Sequence, residues 1–344
     1  MSKVVCFGEI MLRLSPPGYE RITQAKQFDI IFGGAEANVA VSLANYGLQA
    51  RYVTKLPDNP IGDACRNELR KYGVDVGHIV RGGDRLGIFY CEKGASMRPS
   101  NVIYDRANSA IATASPSDFH WQKILDGVGW LHLTGITPAL GDNMVQACLQ
   151  ACQVAKTLGI MVSLDVNYRK KLWARERAGE VLAALMPYVD VLVDSLMVEE
   201  GKIFNVFGMR PESGGIENGQ IDEYAFRSFC EQLVARFGVK YVAYTLRESA
   251  SASDNGWAAM LYDGSTFYRS REYDIHIVDR VGGGDAFTAG LIYGLLTGMG
   301  PQGSLEFAVA ASALKHTIEG DFNMVSAREV RALMGGDAYG RVQR

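Results

Sequence analysis

Short apolar runs alternate along this chain with amphipathic stretches of a dozen residues or more. VVCFGEIML (residues 4–12) reads as a buried strand, as do WLHLTG (130–135), IMVSLDV (160–166), DVLVD (190–194) and VKYVAYTL (239–246). Residues 51–56 add another. Between them, residues 61–72, 142–158, 175–186 and 222–237 carry apolar side chains at helical spacing. FGGAEANVAVSLANYG (32–47) opens on paired glycines, continues on a helical pattern through Ala37, Val39, Ala40, Leu43 and Ala44, and stops at Gly47. Strands that are apolar throughout, separated by helices, predict a mostly parallel sheet flanked by helices on both faces, an α/β architecture. Two stretches break the rhythm. Residues 12–32 and 84–106, the second containing LGIFYCEK and NVIYDR with no helix between them, predict a small antiparallel sheet standing off the main one. PESGGIENGQ (211–220) predicts a solvated loop.

Composition narrows the function classes. A chain of 344 residues suggests roughly two domains, or one large domain with an accessory piece. The net charge of −3, with no acidic or basic block, argues against nucleic acid or a membrane surface as partner. A hydrophobic content of 48% excludes general disorder. No apolar run approaches the roughly 18 residues of a spanning helix. Met1-Ser2-Lys3 runs straight into a strand and leaves no room for a signal peptide, so a cytoplasmic globular protein is expected. Cys6, Cys65, Cys91, Cys148, Cys152 and Cys230 are scattered and form no CxxC pair, which predicts free buried thiols. The histidines show no metal-ligand spacing.

The sharpest chemical signal is DRVGGGDAFTAGLIYGLL (279–296), where Gly282, Gly283 and Gly284 precede a helical pattern. Backbone N–H groups at a helix start are unpaired, the helix dipole favours negative charge, and glycine lets a bulky anion approach. A phosphate would suit that place. Asp285 reads in two ways, as a first-turn capping acid or as a general base beside an anion hole, and spacing alone leans toward the cap. GxxxxGK[ST] and GxSxG are absent, which excludes a P-loop and an α/β-hydrolase elbow, and the 282–284 glycines do not fit GxGxxG with its distant acid, so a Rossmann dinucleotide fingerprint fails there.

DRVGGGDAFTAG resembles the D-T-x-G-A-G-D-x-F-x-x-G signature of the ribokinase-like (PfkB) carbohydrate kinases, and the Gly33-Gly34…Asn38…Gly47 segment resembles that family's N-terminal signature. The resemblance covers nearly the whole chain. It implies one ribokinase-like α/β domain over residues 1–344, with lid strands inserted at about 12–32 and 84–110. It also implies ATP and Mg²⁺ as cofactors, Asp285 as catalytic base and the amides of Gly282, Gly283 and Gly284 as the anion hole. Asp279 matches the signature's leading acid and falls to the nucleotide. Arg280 stands for the usual Thr and Gly283 for the usual Ala.

Within the family, GGAEANVAV (33–41), LHLTGITPAL (131–140) and SLDVNYRKKLW (163–173) resemble the 2-keto-3-deoxygluconate kinases. A sugar acid needs a cation for its carboxylate, and arginine offers a fork of donors. The resemblance implies Gly34, Asn38, Tyr104, Arg106, Arg169, Asp285 and Asp321 on the sugar side. From the residues alone, Arg169 reads rather as a surface ion pair, Asn167 as a strand-end turn and Tyr104 as a packing aromatic. Phe89 stands where that subfamily has a sugar-contacting Tyr. Either Phe89 lines the pocket without a hydroxyl or a bulge brings Tyr90 in. Asn167, Ser195, Thr245 and Arg247 fall on the nucleotide side, at strand ends where ligands gather in parallel sheets. DSLMVEEG (194–201) lacks the family's Asn, leaving Glu199 and Glu200 as candidates to reach a metal through water. The resemblance further implies a homo-oligomer paired through lid strands. A kinase of a neutral sugar such as fructose or ribose, or a non-catalytic sugar sensor, remains the alternative.

Overall fold

A computed structural model describes residues 3–194, 196–199, 202–217, 220–249 and 251–336. Its main sheet has nine strands. Those used below are β1 (Lys3–Phe7), β4 (Gln49–Val53), β7 (Val128–Thr134), β8 (Met161–Asp165), β9 (Val191–Asp194), β10 (Tyr241–Ser249) and β11 (Asp254–Tyr262). They lie in the order β11-β10-β9-β8-β7-β1-β4, and the pairs from β10 to β4 are all parallel. Beyond β10 the sheet turns antiparallel. Strand alternation sends Val4 and Cys6 to one face and Val5 and Phe7 to the other, where each joins a separate apolar core. Helices α1 (Ala35–Asn45), α6 (Gly283–Leu296) and α7 (Gly300–Lys315) contribute to the first core. Helices α3 (Asp142–Thr157), α4 (Arg175–Leu185) and α5 (Glu223–Phe237) contribute to the second.

A separate four-stranded sheet is built from β2 (Met11–Ser15), β3 (Asp29–Gly33), β5 (Ile88–Glu92) and β6 (Asn101–Asp105), in the order β3-β2-β5-β6. It departs from the antiparallel sheet expected, because its central pair β2–β5 is parallel. These two strands are joined through α1, β4 and the helix Pro60–Lys71, a connection long enough to bring the chain back in the same direction.

The run 4–12 is two strands, not one. β1 ends at Phe7 and β2 starts at Met11, in different sheets. The apolar pattern hides the break because both strands are buried. At Gly8 the main chain is pinned by the Tyr52 hydroxyl, which donates to its carbonyl at 2.8 Å, and a side chain there would overlap the Glu36 carboxylate. The segment 211–220 is not loop throughout, since Ile216–Glu217 pairs with Gln220–Ile221. All six cysteines are unpaired and buried. Among the described residues no helix is long and apolar enough to cross a membrane.

The small sheet is tied to the loops before α6 and after α7 by Arg13 of β2, which has no solvent exposure. Its guanidinium donates to Asp279 Oδ2 at 2.8 Å, to Asp321 Oδ1 at 2.7 Å and to Ser15 Oγ at 2.8 Å. Beside it the buried Lys315 ammonium donates to the carbonyls of Ile318 at 3.1 Å and Asp279 at 3.4 Å. Arg13 thus pairs with two buried carboxylates, and Lys315 beside it bonds main-chain carbonyls of the same loops. Removing one partner of a buried ion pair leaves an uncompensated charge and costs about 3–5 kcal/mol. Arg13→Met should lower the unfolding free energy by about that much in a urea titration. A loss under about 1 kcal/mol would show that these ion pairs do not hold the small sheet to the loops.

Candidate active site

A cavity of about 530 Å³ opens where the strands of the main sheet end, bounded by the small sheet on one side and by the start of α6 on another. The turn that leads into α6 forms part of its wall, and its three glycines have three different causes. Gly282 has φ 82, and a side chain there would overlap the Asp321 carbonyl. Gly283 is packed against His316, whose Nε2 lies 2.7 Å from where a Cβ would stand. That contact explains why glycine replaces the usual alanine of the signature. Gly284 has nothing within 4 Å of its would-be Cβ, so open space and free backbone face the cavity there. An anion can approach this turn from the cavity side, against the N-terminus of a buried helix.

Asp285 follows in the first turn of α6. Its Oδ2 accepts a hydrogen bond of 2.7 Å from Asn38 Nδ2. Burial is the main cause that pushes its pKa up to about 7; the charges of Glu36 and Asp321 act the same way, while the Asn38 bond and Arg169 oppose them. Asn38 is itself buried on α1, and its Oδ1 accepts from the Gly34 N–H at 3.3 Å. It therefore holds the aspartate as well as lining the cavity. Asp165, at the end of β8, also lines the cavity and is pushed to about 7 by burial and then by Asp285. Asn167, in the left-handed region at φ 40, donates its N–H to Asp165 Oδ1 at 3.0 Å.

Next to the small sheet, Phe89, Tyr104, Arg106 and Arg169 line the same cavity. β5 pairs with β2 and β6 in unbroken register, so no bulge turns Tyr90 inward. Phe89 faces the cavity without a hydroxyl, opposite Tyr104 with ring centroids 6.0 Å apart, and Tyr90 packs edge-on against Phe28 instead. Arg106 is already committed: its Nε donates to Glu9 Oε2 at 2.7 Å and its Nη2 bonds the same oxygen. The Arg169 guanidinium is exposed, donates to the Tyr168 carbonyl, and makes no ion pair with a described residue. Gly34 lines the cavity too, with an ordinary extended φ of 179, and a side chain there would overlap the Glu9 carbonyl.

The remaining sequence-predicted residues divide. Thr245 and Arg247 line the far end of the cavity, and Asp321 lines it while bound to Arg13. Asp279 does not line it. The acid that leads into the turn is instead engaged away from the cavity, accepting from Arg13 and from the Gly320 N–H at 3.2 Å. Ser195 and Glu200 lie outside the described residues, and Glu199 belongs to the short strand Met197–Glu199. Among the described residues no group of three or more His, Cys, Asp or Glu side chains could hold a metal.

Sequence reasoning passed over Asp165, Trp257 and Arg13. Asp165 stood inside the SLDVNYRKKLW block, and its place at a strand's carboxyl end was the available signal. Nothing local marks Arg13, whose partners lie 266 and 308 residues away.

Comparison with known proteins places the geometry in context. Residues 1–195 and 253–327 match the pfkB family carbohydrate kinases. A solved structure of 2-dehydro-3-deoxygluconokinase from Thermotoga maritima is 47% identical, covers 97% of this chain and 98% of its own, and superposes with a TM-score of 0.90. The 2-dehydro-3-deoxygalactonokinase of Haloferax volcanii is 35% identical over 340 residues, 98% of either chain. The 2-dehydro-3-deoxygluconokinase of Bacillus subtilis is 27% identical, covering 94% of this chain and 93% of its own. The α/β architecture with its small separate sheet is ribokinase-like, as expected from the sequence.

The Gly283–His316 contact is directly testable. Gly283→Ala should lower stability by about 1–3 kcal/mol through overpacking, read by thermal or urea denaturation. His316→Ala in the same chain should restore much of the loss. A Gly283→Ala protein as stable as the parent would contradict the explanation.

Proposed function

The chain belongs to the pfkB family of carbohydrate kinases, and from that premise we propose that it transfers the γ-phosphoryl of ATP to the terminal primary hydroxyl of a 2-keto-3-deoxy sugar acid, 2-keto-3-deoxygluconate first, giving the 6-phosphate. The carrying observation is the Asp285 carboxylate, held by Asn38 in the same cavity as the bare Gly284 backbone and the Arg169 guanidinium. A base, an anion cradle and a cation for a carboxylate are the parts this reaction needs.

Asp285 takes the proton of the sugar hydroxyl as its oxygen bonds to the γ-phosphorus. The bond from that phosphorus to the β,γ-bridging oxygen breaks in line, and ADP carries the electron pair away. The Gly282, Gly283 and Gly284 amides stabilise the transferring charge. Arg169 holds the sugar acid's carboxylate; Arg106, already paired with Glu9, adds donors without adding net charge. Mg²⁺ supplies neutralisation of the triphosphate. Such an ion would take most of its ligands from phosphates and water, which suits the lack of an acid cluster among the described residues, and the cavity-lining carboxylates of Asp165 and Asp194 are the ones that would hold it.

The single domain spans residues 1–344, and the segments 12–32 and 84–110 form a lid over the sugar that keeps water from the γ-phosphate. What supports this is that β2, β3, β5 and β6 come from those segments and border the cavity. Exposed Ile30 and Ile103 on the same sheet support an oligomer paired through lid strands. Six buried, unpaired cysteines support a cytoplasmic enzyme.

Asp285→Asn retains an acceptor for Asn38 and should still bind ATP and sugar, while turnover falls at least about 100-fold. In the unaltered enzyme kcat/KM should fall as pH drops through about 7, because the base works only when deprotonated and its pKa in the free enzyme is raised to about 7. Near-normal turnover of the variant, or an acidic limb close to the ordinary aspartate value of about 4, would refute the assignment.

A further inference from the structure

At the end of the cavity away from the small sheet, two guanidiniums stand with no counter-ion among the described residues. Arg247 lies on β10 and Arg280 just before the glycine turn, and both line the cavity with Gly282, Gly283 and Gly284. Neither makes an ion pair with a described residue. Arg280 spends one donor on the Ala252 carbonyl, at 2.8 Å. Arg247 lies over the indole of Trp257, 5.3 Å from the ring centroid and directly across the β10–β11 register. The proximity of Arg280, added to burial, makes the Arg247 guanidinium easier to deprotonate than usual. Like charges sharing one cavity destabilise each other unless an anion comes between them.

The surroundings are equally short of acceptors. Trp257 is 4% exposed, and its indole N–H has no hydrogen-bond partner. His316 lies tilted against that indole with ring centroids 4.8 Å apart, its Nδ1 bonded to the Ser312 carbonyl and its Nε2 unpartnered. Burial pulls the His316 pKa down to about 4, so this ring is neutral at pH 7 and adds no third charge. A site rich in donors, doubly positive and open to the cavity is built for a polyanion. It is also remote from the sugar: β10 is separated from β1, which leads into the small sheet, by β9, β8 and β7.

We propose that Arg247 and Arg280 clamp the β- and γ-phosphates of the nucleotide, so that this chain recognises a polyphosphate through side chains as well as through the turn's amides. The inference rests on the kinase reading and adds to it a substrate-discriminating role for two residues. Arg280, which replaces the signature's Thr, is thereby a ligand contact. A clamp on β and γ separates ATP and ADP from AMP, and it leaves the sugar site untouched.

Calorimetric titration of the full chain with Mg-ATP, Mg-ADP, AMP and inorganic tripolyphosphate tests it. Arg247→Gln and Arg280→Gln should each weaken ATP, ADP and tripolyphosphate by about 10–100-fold, while AMP changes by less than about 3-fold. Arg280→Lys keeps the charge without the fork and should fall between the parent and the Gln variant. The sugar KM should stay unchanged. Parent-like ATP and ADP affinity in both folded Gln variants, with the parent enzyme turning over normally, would overturn the clamp and leave the kinase reading standing. Equal weakening of AMP would also overturn it. Arginine-dependent tripolyphosphate binding in a parent protein that neither binds nor uses ATP would uphold the clamp and overturn the kinase reading.

Discussion

The arrangement hangs on one buried guanidinium. Arg13 leaves the small sheet and binds both Asp279 and Asp321, one just before the glycine turn and one in the loop after α7. Lys315 lies beneath Gly282, its Cε 3.4 Å from where a Cβ would be. The turn is thus braced from below by ionic contacts that water cannot reach. Above it only backbone faces the cavity. A turn fixed this way presents its amides without rearrangement when charge develops, which is where electrostatic preorganisation gains its strength. The same contact anchors β2, so the small sheet is tied at its base to the turn it borders.

Charge is graded along the cavity. Asp165 and Asp285 lie near its middle, both raised to about 7 mainly by burial. Arg169 stands toward the small sheet, and Arg247 with Arg280 stand at the opposite end. A base that holds its proton weakly near neutrality can accept one from a hydroxyl and give it up again. Cations at the two ends suit a reaction between two anionic substrates that would otherwise repel each other. Arg106 does not join them, since Glu9 cancels its charge.

Much of this was legible in the sequence, for physical reasons. Apolar strands between amphipathic helices admit few architectures, and glycines before an apolar helix mark an anion-binding turn whatever surrounds it. The departure of Gly283 from the family signature was visible too, but its cause was not, because His316 comes from a helix 33 positions later. Other misses share that origin. The 4–12 run concealed a change of sheet because buried apolar residues flank the Gly8–Glu9 break on both sides. Asp279 looked like a nucleotide ligand because its partner, Arg13, is distant in sequence and ordinary in its own strand. Gly34 lines the cavity as the sequence led one to expect, but its need for glycine comes from the Glu9 carbonyl, which no local pattern shows. Long-range ion pairs and backbone close approaches leave no periodic trace.

The most direct test of the account is ADP release from Mg-ATP by the purified protein, with 2-keto-3-deoxygluconate, 2-keto-3-deoxygalactonate, gluconate, fructose and ribose compared side by side. The account predicts strong turnover on a keto-deoxy acid and none on the neutral sugars. Turnover confined to fructose or ribose would contradict the carboxylate-binding role of Arg169, and no turnover on any of the five would contradict the kinase itself.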